Sequence, residues 1–224
     1  MIAPKGEKAK VNANLAAIRL LKQLEAENRP ATPAEKKVLA QYTGWGGLAP
    51  TFDRAKAEAR FTDENWEKKW RKPYDVAREL LSDEEYEAAK RSTINAHYTS
   101  DEVIGQMWEG IRKLGFKGGR VLEPGAGIGH FFGLMPNDLV NKSHLTGVEM
   151  DSISGRIMAK LYPQAKVHQK GFEETNIPKN SVDLIVGNVP FGKTGPVDKM
   201  YPKVSLHNYF FMRGVDLLKP GGLM

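Results

Sequence analysis

Val121-Leu122-Glu123-Pro124-Gly125-Ala126-Gly127-Ile128-Gly129-His130-Phe131 is the stretch on which the fold turns. A short apolar run ends in an acid and a proline, and three glycines follow at alternate positions. Glycines at 125, 127 and 129 let the main chain bend sharply at the carboxyl end of a strand and approach a ligand with no Cβ in the way. The spacing is Gly-x-Gly-x-Gly, whereas the pattern that brings a pyrophosphate onto a helix N-terminus is Gly-x-Gly-x-x-Gly. Glu123 and Pro124 stand directly before the glycines, and the carboxylate of Glu123 suits a cationic amine better than a diphosphate.

Outward from this bend the text alternates. Val103, Ile104, Met107, Trp108, Ile111 and Leu114 form a helical stripe over 100–114. Short β runs follow at 120–123, 145–149, 166–169 and 182–187, separated by helical stretches. Strand and helix in alternation imply βαβ units with right-handed crossovers, hence a parallel sheet covered on both faces. The second run ends in Gly147-Val148-Glu149-Met150-Asp151, and Glu149 falls about 20 residues past Gly129, where a carboxylate reaches ribose hydroxyls in nucleotide folds. Met150 offers a soft apolar surface to an adenine ring, and Asp151 is placed to cap the next helix. After the third run, Phe172 adds an aromatic beside Glu173 and Glu174, near the expected adenine edge.

The fourth run passes into Asn188-Val189-Pro190-Phe191. In a parallel α/β sheet the ends of strands one and four face a common crevice at the topological switch point, so Asn188 and Gly125 are expected to share one pocket. There the Asn188 amide oxygen and the Val189 carbonyl can both accept hydrogen bonds from one NH₂ group, and the Phe191 ring can stack on its base. The stretch 192–205, with Lys193, Lys199 and Lys203 among glycines and prolines, reads equally as a solvated connection and as a phosphate-touching lid.

Residues 1–94 read as a helical N-terminal region and 95–224 as the α/β part. Two helix starts are marked by capping boxes, Thr32 to Glu35 with Pro33 at the first helical position, and Ser82 to Glu85. Between them Tyr42-Thr43-Gly44-Trp45-Gly46-Gly47-Leu48 is a compact loop, its indole packed into the helical layer or turned to nucleic acid.

Composition bounds the rest. The 224 residues carry 33 Lys and Arg against 27 Asp and Glu, a net charge of +6 that is compatible with a polyanionic partner. With no cysteine, disulfides, thiolate nucleophiles and thiolate zinc sites are excluded, and a reducing, cytoplasmic setting is expected. No apolar run approaches the roughly 18 to 20 residues of a membrane span.

Taken together, 95–224 resembles the amino-group DNA methyltransferases that methylate adenine N6, a class I fold dependent on S-adenosyl-L-methionine. His97-Tyr98-Thr99-Ser100 is similar to the upstream motif that closes over the methionine end; LEPGAGIGHF resembles the glycine loop, VEMD the ribose strand, and NVPF the (Asn/Asp)-Pro-Pro-(Tyr/Phe) catalytic tetrapeptide. The order is the γ-like one. This resemblance implies that Tyr98 and Thr99 belong with the cofactor, and Asn188, Pro190 and Phe191 with a flipped-out target adenine; no metal is implied. YTGWGGL resembles the segment before the methylase module in large phage- and plasmid-borne methylase-helicase proteins, which implies a helicase or recognition domain on the same polypeptide and a restriction-modification setting.

Two departures stand out. Val189 replaces the first proline of the tetrapeptide, which keeps the carbonyl but loses stiffness. The end, Leu217-Leu218-Lys219-Pro220-Gly221-Gly222-Leu223-Met224, reads as the turn into strand five, so the C-terminal strands of the fold are expected to be missing from a truncated domain. Competing readings keep the cofactor but move the methyl group to RNA or a protein glutamine, or make the chain a non-catalytic nucleic-acid-binding module.

Overall fold

A computed structural model describes residues 4–52, 63–93, 99–201 and 203–224. It divides the chain into two compact units, Met1–Tyr98 and Thr99–Met224. No helix of the described residues is long and apolar enough to cross a membrane.

The first unit is helical: α1 (Glu7–Ala26), α2 (Pro33–Leu39), α3 (Asp63–Lys69), α4 (Arg71–Leu80) and α5 (Asp83–Ser92). Both capping boxes form, with Thr32 and Ser82 each accepting the N–H three residues on while Glu35 and Glu85 reach back. Helix α1 buries Val11, Leu15, Ile18 and Leu21, and among them the polar Asn14. That amide accepts the Thr43 N–H at 2.8 Å and donates to the Gly44 carbonyl at 2.6 Å, so a buried polar group holds the glycine-rich loop. Trp45 is buried, edge-on to Phe52 at 4.7 Å. Packing, not exposure to a ligand, is therefore what its indole does.

The second unit opens with α6 (Asp101–Lys113), capped by Ser100. Then come β1 (Gly119–Pro124), α7 (His130–Gly133), α8 (Asn137–Val140), β2 (Ser143–Val148), α9 (Ser152–Leu161), β3 (Lys166–His168), β4 (Val182–Ile185), α10 (Leu206–Leu217) and β5 (Leu218–Leu223). The strands form one parallel sheet in the order β3-β2-β1-β4-β5, a Rossmann-like arrangement with its switch point between β1 and β4. Strands β2, β3 and β4 stop one or two residues before the sequence places their ends, because Glu149 and Gly187 already belong to the loops at the rim.

Ile104 and Trp108 of α6, Phe131, Phe132 and Met158 cover one face over Val121, Leu145 and Leu184. Each such burial stabilises by roughly 1.5–3 kcal/mol, and the Trp108 Nε1–H is satisfied by the Phe131 carbonyl at 3.0 Å. The other face packs Tyr209, Phe210 and Leu217 of α10, with Phe172 and Tyr201, over Leu122, Val148 and Ile185.

Two expectations are corrected. The last residues form a strand and not only a turn. The step from Val182 to Leu184 on β4 is matched by Leu218 to Leu223 on β5, so a bulge around Gly221 (φ 79°) absorbs the Pro-Gly-Gly. The second face is not covered throughout. The connection from β3 to β4 contains only a 3₁₀ turn, Phe172–Glu174, since its Gly, Pro and Asn leave no room for a helical stripe. The β2–β3 part of that face is left without a helix.

Candidate functional site at the carboxyl rim of the sheet

The bend after β1 is built from left-handed backbone: φ is 68° at Gly125, 57° at Gly127 and 80° at Gly129. A side chain at any of them would be strained. The loop is stitched to the neighbouring strand by the Ala126 N–H, which donates to the Val148 carbonyl at 3.0 Å. At its far end a Cβ on Gly129 would stand 2.8 Å from the Tyr162 ring, so glycine also permits close approach of α9.

Two carboxylates flank this loop. Glu123 is 3% exposed, and its Oε2 has no hydrogen-bond partner. Burial holds its carboxyl well above the usual range, and the Glu149 charge adds to this. Glu149 lies at the end of β2, where Oε2 accepts the Gly127 N–H and Oε1 the Asp151 N–H, both at 2.7 Å. Desolvation pushes it up to about 7 against those hydrogen bonds. The sequence marks Glu149 only as a ligand contact; the structure adds that it ties the glycine loop to β2. Each carboxylate oxygen still has a second lone pair for a hydroxyl donor. Met150 next to it is 77% exposed, and Asp151 caps α9 through the Ser154 N–H.

Asn188-Val189-Pro190-Phe191 lies against this loop. The Val186 N–H donates to the Leu122 carbonyl at 3.0 Å, carrying the β1–β4 pairing to the rim. A Cβ on Gly187 would be 3.5 Å from the Pro124 carbonyl oxygen and 3.6 Å from Glu123 Cγ, and one on Gly125 would be 3.5 Å from Pro190 Cδ. The amide-bearing loop and the glycine bend thus lie against each other at the carboxyl end of the sheet. Asn188 is exposed, Val189 packs partly into the core below, and Phe191 is 73% exposed with its ring 5.7 Å from that of His207. Packing of Val189 supplies some of the fixation that the replaced proline would have given.

Other marked residues lie elsewhere. Phe172 is buried between Tyr209 and Phe210 with the Arg213 guanidinium 4.9 Å from its ring centre, so its faces are already used by the core and it offers no stacking surface. A local motif shows an aromatic but not which side of the sheet it takes. His97 and Tyr98 lie outside the described residues. Thr99 is partly buried just before the Ser100 cap of α6, the helix whose Trp108 bonds to Phe131 beyond the glycine loop.

Sequence reasoning missed what holds 192–205 in place. Asp198 accepts the Tyr209 hydroxyl at 2.8 Å and lies 3.5 Å from Arg213, while the Tyr201 hydroxyl donates to Asp216 at 2.6 Å. The stretch is pinned to α10, and no periodicity in it signals this. Among the described residues no group of three or more His, Asp and Glu side chains is arranged to hold a metal ion.

No protein-family model matches the chain. Over 156 residues, 67% of this chain and 7% of the other, it is 35% identical to the defense against restriction protein B of Escherichia phage P1. The chain therefore spans a small part of the length of that curated relative. Among solved structures it is similar to a modification subunit from Vibrio vulnificus YJ016, with a TM-score of 0.46, 18% identity, and coverage of 72% of this chain and 39% of that one. It is also similar to the type I restriction-modification system methyltransferase subunit from Streptococcus thermophilus, with a TM-score of 0.44, 14% identity, and coverage of 94% and 54%.

Proposed function

We propose that the second unit binds S-adenosyl-L-methionine at the glycine loop and transfers its methyl group to the exocyclic N6 of adenine in DNA. The name of the phage relative supplies the setting, protection of DNA against restriction. The observation that carries the reading is the placement of the Asn188 loop beside Gly125 and Glu123 across the β1–β4 switch point.

The residues at the rim fit that cofactor. Glu123 Oε2 is a buried acceptor with no hydrogen-bond partner, matched to an ammonium group, and the left-handed glycines leave the loop without side chains over it. When bound, S-adenosyl-L-methionine supplies a methyl group on a positively charged sulfur. The protein's part is to bind and align. Glu123 would hold the methionine amine, Glu149 the ribose hydroxyls and exposed Met150 the adenine ring, with Thr99 at the methionine end.

The amine of adenine is a poor nucleophile because its lone pair is delocalised into the ring. Asn188 Oδ1 and the Val189 carbonyl would accept its two N–H groups, turning the lone pair towards the methyl carbon by electrostatics and not by a strong base. The N–C bond would form as the C–S bond breaks, the sulfur keeping the electron pair, and the surplus N–H proton would leave past Asn188 to solvent. Alignment within about 3 to 3.5 Å is then the larger contribution. A base inside a duplex cannot reach the rim, so it is flipped out, and the exposed Phe191 ring offsets part of the few kcal/mol of unstacking.

The test is methyl transfer from labelled cofactor to an adenine-containing duplex. Asn188→Ala is expected to lose about 100-fold or more in rate, by analogy with removal of a transition-state hydrogen-bond partner, and to bind the cofactor as before. Equal rates in parent and variant overturn the assignment. Label appearing on RNA or on a glutamine amide in place of DNA keeps the cofactor and changes the acceptor.

A further inference from the structure

The part of the sheet left without a helix is only partly apolar: Leu122, Ile177 and Val182 line it together with polar and basic side chains. A hollow of about 240 Å³ opens there, floored by Arg120 of β1, His144 and Thr146 of β2, and Lys166 and His168 of β3, and walled by the segment after Asn176. Strand register places Arg120 beside His144 and Thr146 beside Lys166, so the cations Arg120 and Lys166 share one face without lying side by side. Parallel sheets are ordinarily covered on both faces, and what covers this one must accept positive charge.

The acids nearby are engaged. Asp183 takes Lys219 Nζ at 2.6 Å on one oxygen and the Arg120 backbone N–H at 2.7 Å on the other, and Asp216 pairs with Lys179 at 2.7 Å. No carboxylate of the described residues stands at ion-pair distance from the side chain of Arg120 or Lys166, although the Asp183 charge acts on Arg120 from further off. Lys170, just past β3, is exposed as well. Around these cations Thr146, Asn176 and Ser181 add hydroxyl and amide groups, the mixture that contacts phosphate and sugar oxygens in nucleic-acid complexes.

We infer that this hollow receives the phosphodiester backbone of duplex DNA, a second contact on a sheet face distinct from the rim that carries the glycine loop. The choice of DNA among polyanions rests on the methylation reading; the demand for a polyanion does not. Backbone contacts of this kind fix position and carry no sequence information. They make affinity fall with salt, by a slope of about 0.9 for each phosphate neutralised.

The experiment is fluorescence anisotropy of the full chain with a short labelled duplex, in the absence of cofactor and over a range of salt. Arg120→Gln with Lys166→Gln is expected to weaken binding about tenfold at low salt and to lower the slope of log affinity against log salt by about 2. Arg120→Lys with Lys166→Arg keeps the charge and is expected to bind as the parent does. Thr146→Glu, an acid set among the cations, is an independent second variant and is expected to weaken binding alone. Parent-like affinity and slope in the Gln pair or in Thr146→Glu overturn the proposal. So do equal losses in the charge-keeping pair, or a preference for polyglutamate over the duplex. Because no cofactor is present, failure here leaves the methyl-transfer assay to judge the catalytic reading separately.

Discussion

The two ends of the same strands are chemically opposite. At the carboxyl rim stand Glu123 near the end of β1 and Glu149 just past β2, with Asp151 beyond, around a bend of left-handed glycines. Near their amino ends the same two strands and β3 carry Arg120, His144 and Lys166 on a face that no helix covers. In a parallel sheet every strand points the same way, so residue types repeated at strand ends accumulate on one edge. The difference teaches that one sheet can offer acids to a cationic small molecule and cations to a polyanion, a few residues apart along each strand.

The largest effect expected from breaking this contrast comes at the acidic end. Gly125→Val forces a β-branched residue to φ 68° and puts side-chain atoms against Pro190, so cofactor affinity should fall by about 100-fold or more. Thermal melting should show a cost of about 1–3 kcal/mol for the strained backbone. Glu123→Gln removes the charge but keeps the shape. Calorimetry should read a loss of about 10- to 100-fold in affinity, the range for a charge-assisted hydrogen bond. The ligand-free protein should melt higher, because a carboxylate desolvated at this depth opposes folding when ionised.

A smaller effect is pH-dependent. Glu149 titrates at about 7 in the folded chain against an ordinary carboxyl value of 4.5. A raised carboxyl contributes stability that is fully present below 4.5 and is lost as pH rises through 7. Parent minus Glu149→Gln in melting experiments should therefore fall across that window, by on the order of 3 kcal/mol. The difference is needed because His130 and His168, both lowered by burial, run in the opposite sense. Affinity for the ribose hydroxyls needs the ionised form and should drop by up to about tenfold per pH unit below 7. The smallest effect sharpens the separation of the two ends: Arg120→Gln with Lys166→Gln should leave cofactor affinity within about twofold, as expected of distant sites.

The sequence made the acidic end readable because its signals are local. Gly125, Gly127 and Gly129 follow an apolar run at fixed spacing, and alternating strand and helix periods place Glu149 and Asn188 at neighbouring strand ends. What escaped it depends on contacts distant in sequence. Asn14 looks like a blemish in the apolar stripe of α1 until the Thr43–Gly44 backbone is seen to need it. Phe172 reads as a ligand platform until Tyr209, Phe210 and Arg213 enclose it. Pro220-Gly221-Gly222 reads as a turn because the irregular pairing that absorbs these residues involves β4, far back in the sequence. The basic hollow was invisible for a similar reason: a missing covering helix is apparent only once strand order is known.

The central claim is that the buried Glu123 carboxylate beside the Asn188 loop exists to receive the cofactor's ammonium group. Titration calorimetry of S-adenosyl-L-methionine into the full chain, in neutral buffers of different protonation enthalpy, tests it most directly. The account predicts one saturable site with proton release on binding, since a cation draws a raised carboxyl into its ionised form, and both affinity and proton release reduced in Glu123→Gln. No saturable heat, or binding and proton release unchanged in that variant, would contradict it.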